Sequence, residues 1–333
     1  MRELMIGRNE EGQRLDKYLS KYMDGAPKSF FYKMLRKKNI TLNGKKAEGK
    51  EILKNGDIVK LFLAEDTIGS FQKKSRAATY PVTELSILYE NDQIAFLNKP
   101  AGMLSQKSKP EDLSLNEYFI GYLLSDGQLA PEDLTTFRPS ICNRLDRNTS
   151  GVVAAGKSLA GLQSMAELLR SRKIDKYYYA IVGGKMEQSG IKDAWILKDE
   201  SNNQVLVLNQ EQEGAQRIRT GYRPICSDGR FTFLEIQLIT GKTHQIRAHL
   251  ASMGHPVAGD FKYGDTMVNR FFRDRFHVRN QLLHAQRMEF GELTGPLAEL
   301  SGRTIAAPAP PVFARAVKAL FGTEIETYEE SGK

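Results

Sequence analysis

Residues 64–83, AEDTIGSFQKKSRAATYPVT, constrain the fold more than any other stretch of this chain. They are polar, show no hydrophobic periodicity and run into a proline, the pattern of a linker, which we assign to 66–83. A break there divides the 333 residues unequally. Residues 1–65 form a unit near the size floor for independent folding. Residues 84–333 are long enough for one large domain. With 41% hydrophobic and 26% charged residues, the chain has the composition of packed domains rather than of a disordered polymer.

Charge is distributed as unevenly as length. Between Arg14 and Lys60 stand 13 Lys or Arg and 5 Asp or Glu, a net +8 that equals the charge of the whole chain, so the rest sums to zero. Clustering of this kind suits a polyanion, because neutralised phosphates dominate sequence-independent binding to nucleic acid. Lys33, Arg36, Lys37, Lys38, Lys45 and Lys46 are the candidate contacts to such a polyanion, RNA or DNA. The bland alternative is a soluble basic surface. Locally, RLDKYLSKYM places Leu15, Tyr18, Leu19 and Tyr22 at helical spacing, and Pro27 and Ser29 open a second helix carrying Phe31, Met34 and Leu35. Asn43-Gly44 and Asn55-Gly56 signal tight turns, and IVKLFL alternates as a strand. The small unit is therefore predicted to be α/β.

In the larger unit, ILYENDQIAFLNK, YYYAIVGG, NQVLVLN and FTFLEIQLIT read as strands. LSLNEYFIGYLL, LAGLQSMAELLRSRK, QIRAHLASMG and VFARAVKALFG read as helices. The two kinds do not alternate regularly, which predicts an α+β domain with a mixed or antiparallel sheet rather than a doubly wound one. No apolar run approaches the length of a bilayer span, the N-terminus lacks the apolar stretch of a signal peptide, and two cysteines, Cys142 and Cys226, make no disulfide framework. These features together predict a cytoplasmic protein.

Chemistry concentrates in four places. In ICNRLDRNTSGVVAAGKS, Asp146 lies between Arg144 and Arg147, where cations and hydrogen-bond donors favour the ionised carboxylate of a nucleophile or base. A salt-bridged loop capping a strand would show the same residues. In TGKTHQIRAHLASMGHPVAGDFKYG, His244, His249 and His255 suggest a metal, but they lack metal-ligand spacing and no cysteine pair accompanies them; no metal is expected. Arg247 in the same stretch is a candidate ion-pair partner for a catalytic acid, or else a structural or phosphate-binding arginine. In KYYYAIVGG, Tyr177 and Tyr179 would face one side of a strand and Tyr178 the other, one face core and the other a platform for a base, unless all three simply pack. In LNKPAGML, Lys99 is placed either to approach a phosphate or to order the site.

NRLDRNTSG, KYYYA, TGKTHQIRAHLASMGHPVAGDFKYG, LNKPAG and LLHA together resemble the RluA-type family of pseudouridine synthases, in that family's order and across most of residues 88–290. RLDKYL…FFYKMLRKKNITLNGKKAEG…LKNGDIVKL resembles the alpha-L RNA-binding domain fused to its ribosomal large-subunit members. The resemblance implies a pseudouridine synthase domain with a largely antiparallel mixed sheet and a central cleft. It implies Asp146 as the catalytic residue, Tyr178 and Arg247 beside it, Leu283 under the substrate base, and Arg144 filling the gap left by a flipped base. It further implies an isomerase that needs no cofactor, acts as a monomer and takes large-subunit ribosomal RNA, with transfer RNA as the alternative substrate. Two positions depart from the pattern: Asn143 stands where the family has His, and Lys242 where it has Arg. Both would bear on how flanking RNA is held. Two other readings compete. A non-catalytic ribosome-assembly factor would not need Asp146, Tyr178 and Arg247 together. A glycosidic hydrolase would want a second carboxylate.

Overall fold

The computed structural model describes residues 1–7, 9–72, 80–199, 202 and 204–325. Near the N-terminus, helices Leu15–Tyr22 and Lys28–Arg36 form where the apolar stripes predict them, and bury Leu15, Tyr18, Leu19, Phe31 and Leu35. They pack on a four-stranded antiparallel sheet ordered Arg2–Met5, Ile58–Leu61, Ile40–Leu42, Lys45–Lys46. The hairpin between the last two turns at Asn43 and Gly44, both at positive φ, as that dipeptide dictates.

The predicted linker is corrected at its N-terminal end. Glu65–Phe71 is a helix, Ile68 on it is fully buried in the N-terminal core, and the Phe71 ring lies 4.8 Å from that of Phe30. A single buried residue per two turns leaves no periodic signal in the sequence, so the small unit extends past residue 65. Residues 73–79 of the linker lie outside the described residues.

From residue 87 onward the chain builds one 11-stranded sheet. Its main path runs Gln204–Leu208, Gly190–Asp199, Gln216–Ser227, Phe231–Leu238, Ile174–Gly183, Leu283–Phe290, Ser150–Gly156, Ile94–Lys99, Ile87–Glu90. Among the described residues the pairings are antiparallel except Leu283–Phe290 with Ser150–Gly156, which is parallel. The expected α+β architecture with a mixed, largely antiparallel sheet is what forms. Helices cover both faces. Leu115–Ser125 and Gln245–Ser252 pack against Leu97, Val153, Tyr178, Ala180, Ile236 and Leu283. On the opposite face Leu159–Arg170 covers Phe96 and Ala154, while Thr266–Phe276 and Pro311–Phe321 cover Tyr179, Ile181 and Phe233. Burial on both faces explains why Tyr178 and Tyr179, on alternate sides, are 7% and 3% exposed. The expected contrast of a core face with an open tyrosine platform is therefore corrected.

Gly151 sets the closest approach in the sheet. Its φ is +116°, and a Cβ there would lie 2.0 Å from the carbonyl oxygen of Ala285 on the parallel neighbour. Neither backbone can retreat, because Gly151 also pairs with Lys99 on its other side. We predict that Gly151→Ala fails to accumulate as soluble, cooperatively melting protein, since overpacking and strain at positive φ add to several kcal/mol. A normal melting transition would show that the strands separate more easily than this geometry allows.

Candidate active site

Asp146 lies in the loop entering strand Ser150–Gly156, over the sheet face that carries Tyr178 and Leu283. Neighbouring segments anchor that loop from several sides. Ser105 Oγ donates to the Leu145 carbonyl and accepts from its N–H, at 2.7 and 3.0 Å. Gly102 N–H donates to the Arg147 carbonyl at 2.8 Å, and Gln281 Nε2 donates to Thr149 Oγ1 at 2.9 Å. Thr149 N–H closes a turn onto the Asp146 carbonyl at 3.0 Å. Asn143 Oδ1 accepts from Ala154 N–H at 2.8 Å, so this departure from the family pattern ties the start of the loop to strand Ser150–Gly156.

Arg247 reaches Asp146 from helix Gln245–Ser252. This helix is buried around its whole circumference from Gln245 to Leu250, yet carries Gln245, Arg247 and His249. Buried polar groups are tolerated when they are hydrogen-bonded. Gln245 is held by Thr240, Thr220 and the Arg219 carbonyl, and His249 by Thr220. Arg247 divides its guanidinium between two acids. Nη1 donates to Asp146 Oδ2 at 2.8 Å, while Nε and Nη2 donate to Asp260 Oδ2 and Oδ1 at 2.6 and 2.7 Å. The Asp260 side chain is fully buried, whereas that of Asp146 keeps 27% of its exposure. One carboxylate therefore fixes the arginine and the other is presented to solvent.

Burial alone would push the Asp260 carboxyl up, but Arg247 and the backbone N–H groups of Lys262 and Tyr263 hold it below its ordinary value. Burial likewise opposes the charge on Arg247, and the two carboxylates more than offset it, raising its pKa. Tyr263 lies beneath, its ring 5.2 Å from the Arg247 guanidinium carbon. Its hydroxyl accepts from Val205 N–H at 2.8 Å and meets His244 Nδ1 at 3.0 Å. Burial lowers the His244 pKa, against the pull of Asp146.

Tyr178 and Leu283 belong to the same buried cluster on neighbouring strands, with Leu283 opposite Ala180 and Tyr178 opposite Ala285. Burial first, and then the charge of Asp146, raises the Tyr178 phenol above its ordinary range. The structure thus brings Asp146, Arg247, Tyr178 and Leu283 together. Arg144 is exposed, two residues before Asp146.

Of the two roles open to Lys99, the geometry fits ordering of the site and not a phosphate contact. The residue has 0% exposure, and Nζ donates to the carbonyls of Pro100, Met103 and Arg147 at 3.0, 2.8 and 3.1 Å. With three acceptors for three N–H groups and no path to solvent, it cannot take a phosphate; it ties loop 100–103 to the Asp146 loop. Burial pulls its pKa down to about 7, opposed by Asp146. The six N-terminal candidates, Lys33, Arg36, Lys37, Lys38, Lys45 and Lys46, are all exposed.

The other histidines are not gathered at one site. His284 is buried between Ser150 Oγ at 2.8 Å and the Ala307 carbonyl at 3.0 Å, and burial lowers its pKa to about 4. His255 Nδ1 meets the Gly183 carbonyl at 3.0 Å. Among the described residues no group of three His, Cys, Asp or Glu is arranged to hold a metal ion.

Sequence reasoning missed Asp260, Tyr263 and Gln281. Asp260 follows Gly259, whose φ of +78° and close approach to the Asn280 carbonyl belong to the folded turn and leave no mark in the sequence that would assign it a role.

Residues 93–252 match a family model described as RNA pseudouridylate synthase. The Escherichia coli K12 protein named ribosomal large subunit pseudouridine synthase C is 32% identical over 305 residues, covering 86% of this chain and 87% of that one. The Haemophilus influenzae protein of that name is 32% identical, covering 83% and 86%. Human RNA Pseudouridylate Synthase Domain Containing 4 shares the fold, with a TM-score of 0.56 at 22% identity over 70% of this chain and 91% of that structure.

Proposed function

The chain belongs to the RluA-type family of RNA pseudouridine synthases, which are isomerases, and on that premise we propose that it converts uridines of large-subunit ribosomal RNA to pseudouridine with Asp146 as the catalytic carboxylate. The observation that carries this reading is the single guanidinium joining a solvent-facing Asp146 to a buried Asp260 above Tyr178 and Leu283. The reaction breaks the N1–C1′ bond of the nucleotide, turns the uracil and joins C5 to C1′. The proton on C5 leaves and N1 ends protonated, so the atoms balance without oxidant, reductant or net water, and no cofactor is demanded.

The uridine must leave its stack before a side chain can reach it, at a few kcal/mol. Arg144, exposed at the entrance, offsets part of that by occupying the vacancy. Tyr178 and Leu283 floor the site for the uracil. Asp146 acts on the everted nucleotide while Arg247, braced by Asp260, keeps it aimed. A phenol held protonated by burial and a neighbouring carboxylate is a poor base, so Tyr178 serves by contact rather than by taking the C5 proton. The basic N-terminal unit is the alpha-L-type RNA-binding domain, with its six exposed cations on phosphates. A hydrolase would need a second working carboxylate flanking the bond. Asp260, fully buried with both oxygens engaged, does not supply one.

The test is deletion of the gene followed by carbodiimide mapping of pseudouridine across ribosomal and transfer RNA. Sites lost from large-subunit RNA, restored by the wild-type gene and not by Asp146→Ala, are the expected result. Loss confined to transfer RNA would overturn the target, and restoration by Asp146→Ala would overturn the residue.

A further inference from the structure

A second run of arginines takes no part in the site above. RFFRDRFHVR, residues 270–279, holds Arg270, Arg273, Arg275 and Arg279 against a single acid, Asp274, a net +3 in a part of the chain that sums to zero with this run included. Arg270 and Arg273 pair with Asp274 at 3.6 and 3.1 Å, and Arg275 lies over the rings of Phe271 and Phe276. Helix Thr266–Phe276 then ends at His277, whose φ of +57° turns the chain so that Val278 is buried and Arg279 emerges.

Arg279 comes out beside a cavity of about 240 Å³ whose polar lining is Ser150, His277, Arg279, Asn280, Gln281 and Arg315. No carboxylate lines it. Arg279 and Arg315 are exposed and make no ion pair among the described residues. Such a volume falls below the ~300–1,000 Å³ of pockets that enclose whole small ligands, and suits part of a longer molecule. The cavity also backs onto the loop of Asp146. Ser150 is in its wall, and Gln281 in the same wall donates to Thr149, which closes the turn on Asp146.

We propose that this cavity receives one nucleotide of the substrate RNA flanking the target uridine, with its phosphate between Arg279 and Arg315. The proposal rests on the RNA-modifying reading for its ligand. Two guanidiniums without an ion pair among the described residues, on a cavity that no carboxylate lines, favour a phosphate, and each offers a planar fork to its oxygens. Filling the cavity sets Gln281 and, through Thr149, the loop that presents Asp146. Arg279 and Arg315 contact the RNA; Gln281 is a positioning residue.

The test compares full-length wild type, R279A/R315A, R279K/R315K and the control R270A/R273A. Each binds large-subunit ribosomal RNA from cells lacking the gene, at salt from 50 to 200 mM. Losing the one phosphate held between them should reduce the slope of log K against log salt by roughly 0.7–0.9 in R279A/R315A, with affinity at 100 mM salt down about tenfold or more. Turnover at saturating RNA should fall as well, because the emptied cavity no longer sets the loop of Asp146. The lysine pair should keep most of the slope, and the control should lose less than the alanine pair. Wild-type slope and affinity in R279A/R315A, or equal losses in the control, overturn the proposal. A changed slope in an enzyme whose wild type converts no uridine would instead overturn the proposed activity and leave the RNA contact standing.

Discussion

Asp146→Asn is expected to lower turnover by on the order of 10⁴-fold or more while moving RNA affinity by less than about tenfold. Asparagine matches aspartate in shape, and its amide oxygen can still accept from Arg247 Nη1, now at 2.8 Å from the carboxylate. Arg247 retains its two bonds to Asp260, so no buried charge loses its partner. The side chain is part-exposed and the loop is held through backbone atoms by Ser105, Gly102 and Lys99, which the substitution leaves alone. What disappears is the negative charge that acts on the everted nucleotide. The measurement is single-turnover conversion of ribosomal RNA lacking the modification, with binding and thermal melting run on the same preparation. Loss of binding or of the melting transition along with turnover would make Asp146 a structural residue and the catalytic assignment wrong.

How far the sequence revealed this arrangement depends on the kind of signal each element leaves. Helices Leu15–Tyr22 and Lys28–Arg36 bury one stripe against a sheet, and a stripe is visible in the sequence. Glu65–Phe71 buries only Ile68, and Thr266–Phe276 only Phe272, so neither shows a period. The strands Gly190–Asp199 and Gln216–Ser227 lie toward the sheet's end with one face partly open, and their charged residues mask the alternation. Tyr177 to Tyr179 do alternate, but a sheet covered on both faces buries residues of both parities, and alternation cannot report that. Lys99 shows the same limit at the site. LNKPAG places a cation at a sharp exit, and only the folded chain reveals that three carbonyls converge on it. Asp146 and Arg247, 101 residues apart, were joined by resemblance to a family. Asp260, which holds the arginine from below, carried no assigned role and came from the structure alone.

The Asp260–Arg247 pair supports the second large effect. Arg247→Met removes the fork and leaves the Asp260 carboxylate fully buried, with only the N–H groups of Lys262 and Tyr263 on one of its oxygens. Removing one partner of a buried pair costs about 3–5 kcal/mol, a large part of the stability of an ordinary domain. Arg247→Met/Asp260→Leu removes the stranded charge as well, and should recover a substantial part of that loss, because an apolar pair of similar volume is often neutral or better. Turnover should not recover, since Asp146 still lacks the arginine that aims it. The folded-state pKa of Asp260 is depressed, so the pair's contribution is complete above the ordinary carboxylate pKa of about 4 and is lost as pH falls below it. In Arg247→Met burial instead raises the Asp260 carboxyl, so the stability gap between wild type and that variant should be largest at high pH and narrow as pH falls and the stranded carboxylate takes up a proton. Urea denaturation at several pH values, with turnover measured on each variant, separates the two roles. A double variant as unstable as the single would mean that Asp260 is not the stranded charge. Near-wild-type turnover in either variant would mean that Arg247 does not position Asp146.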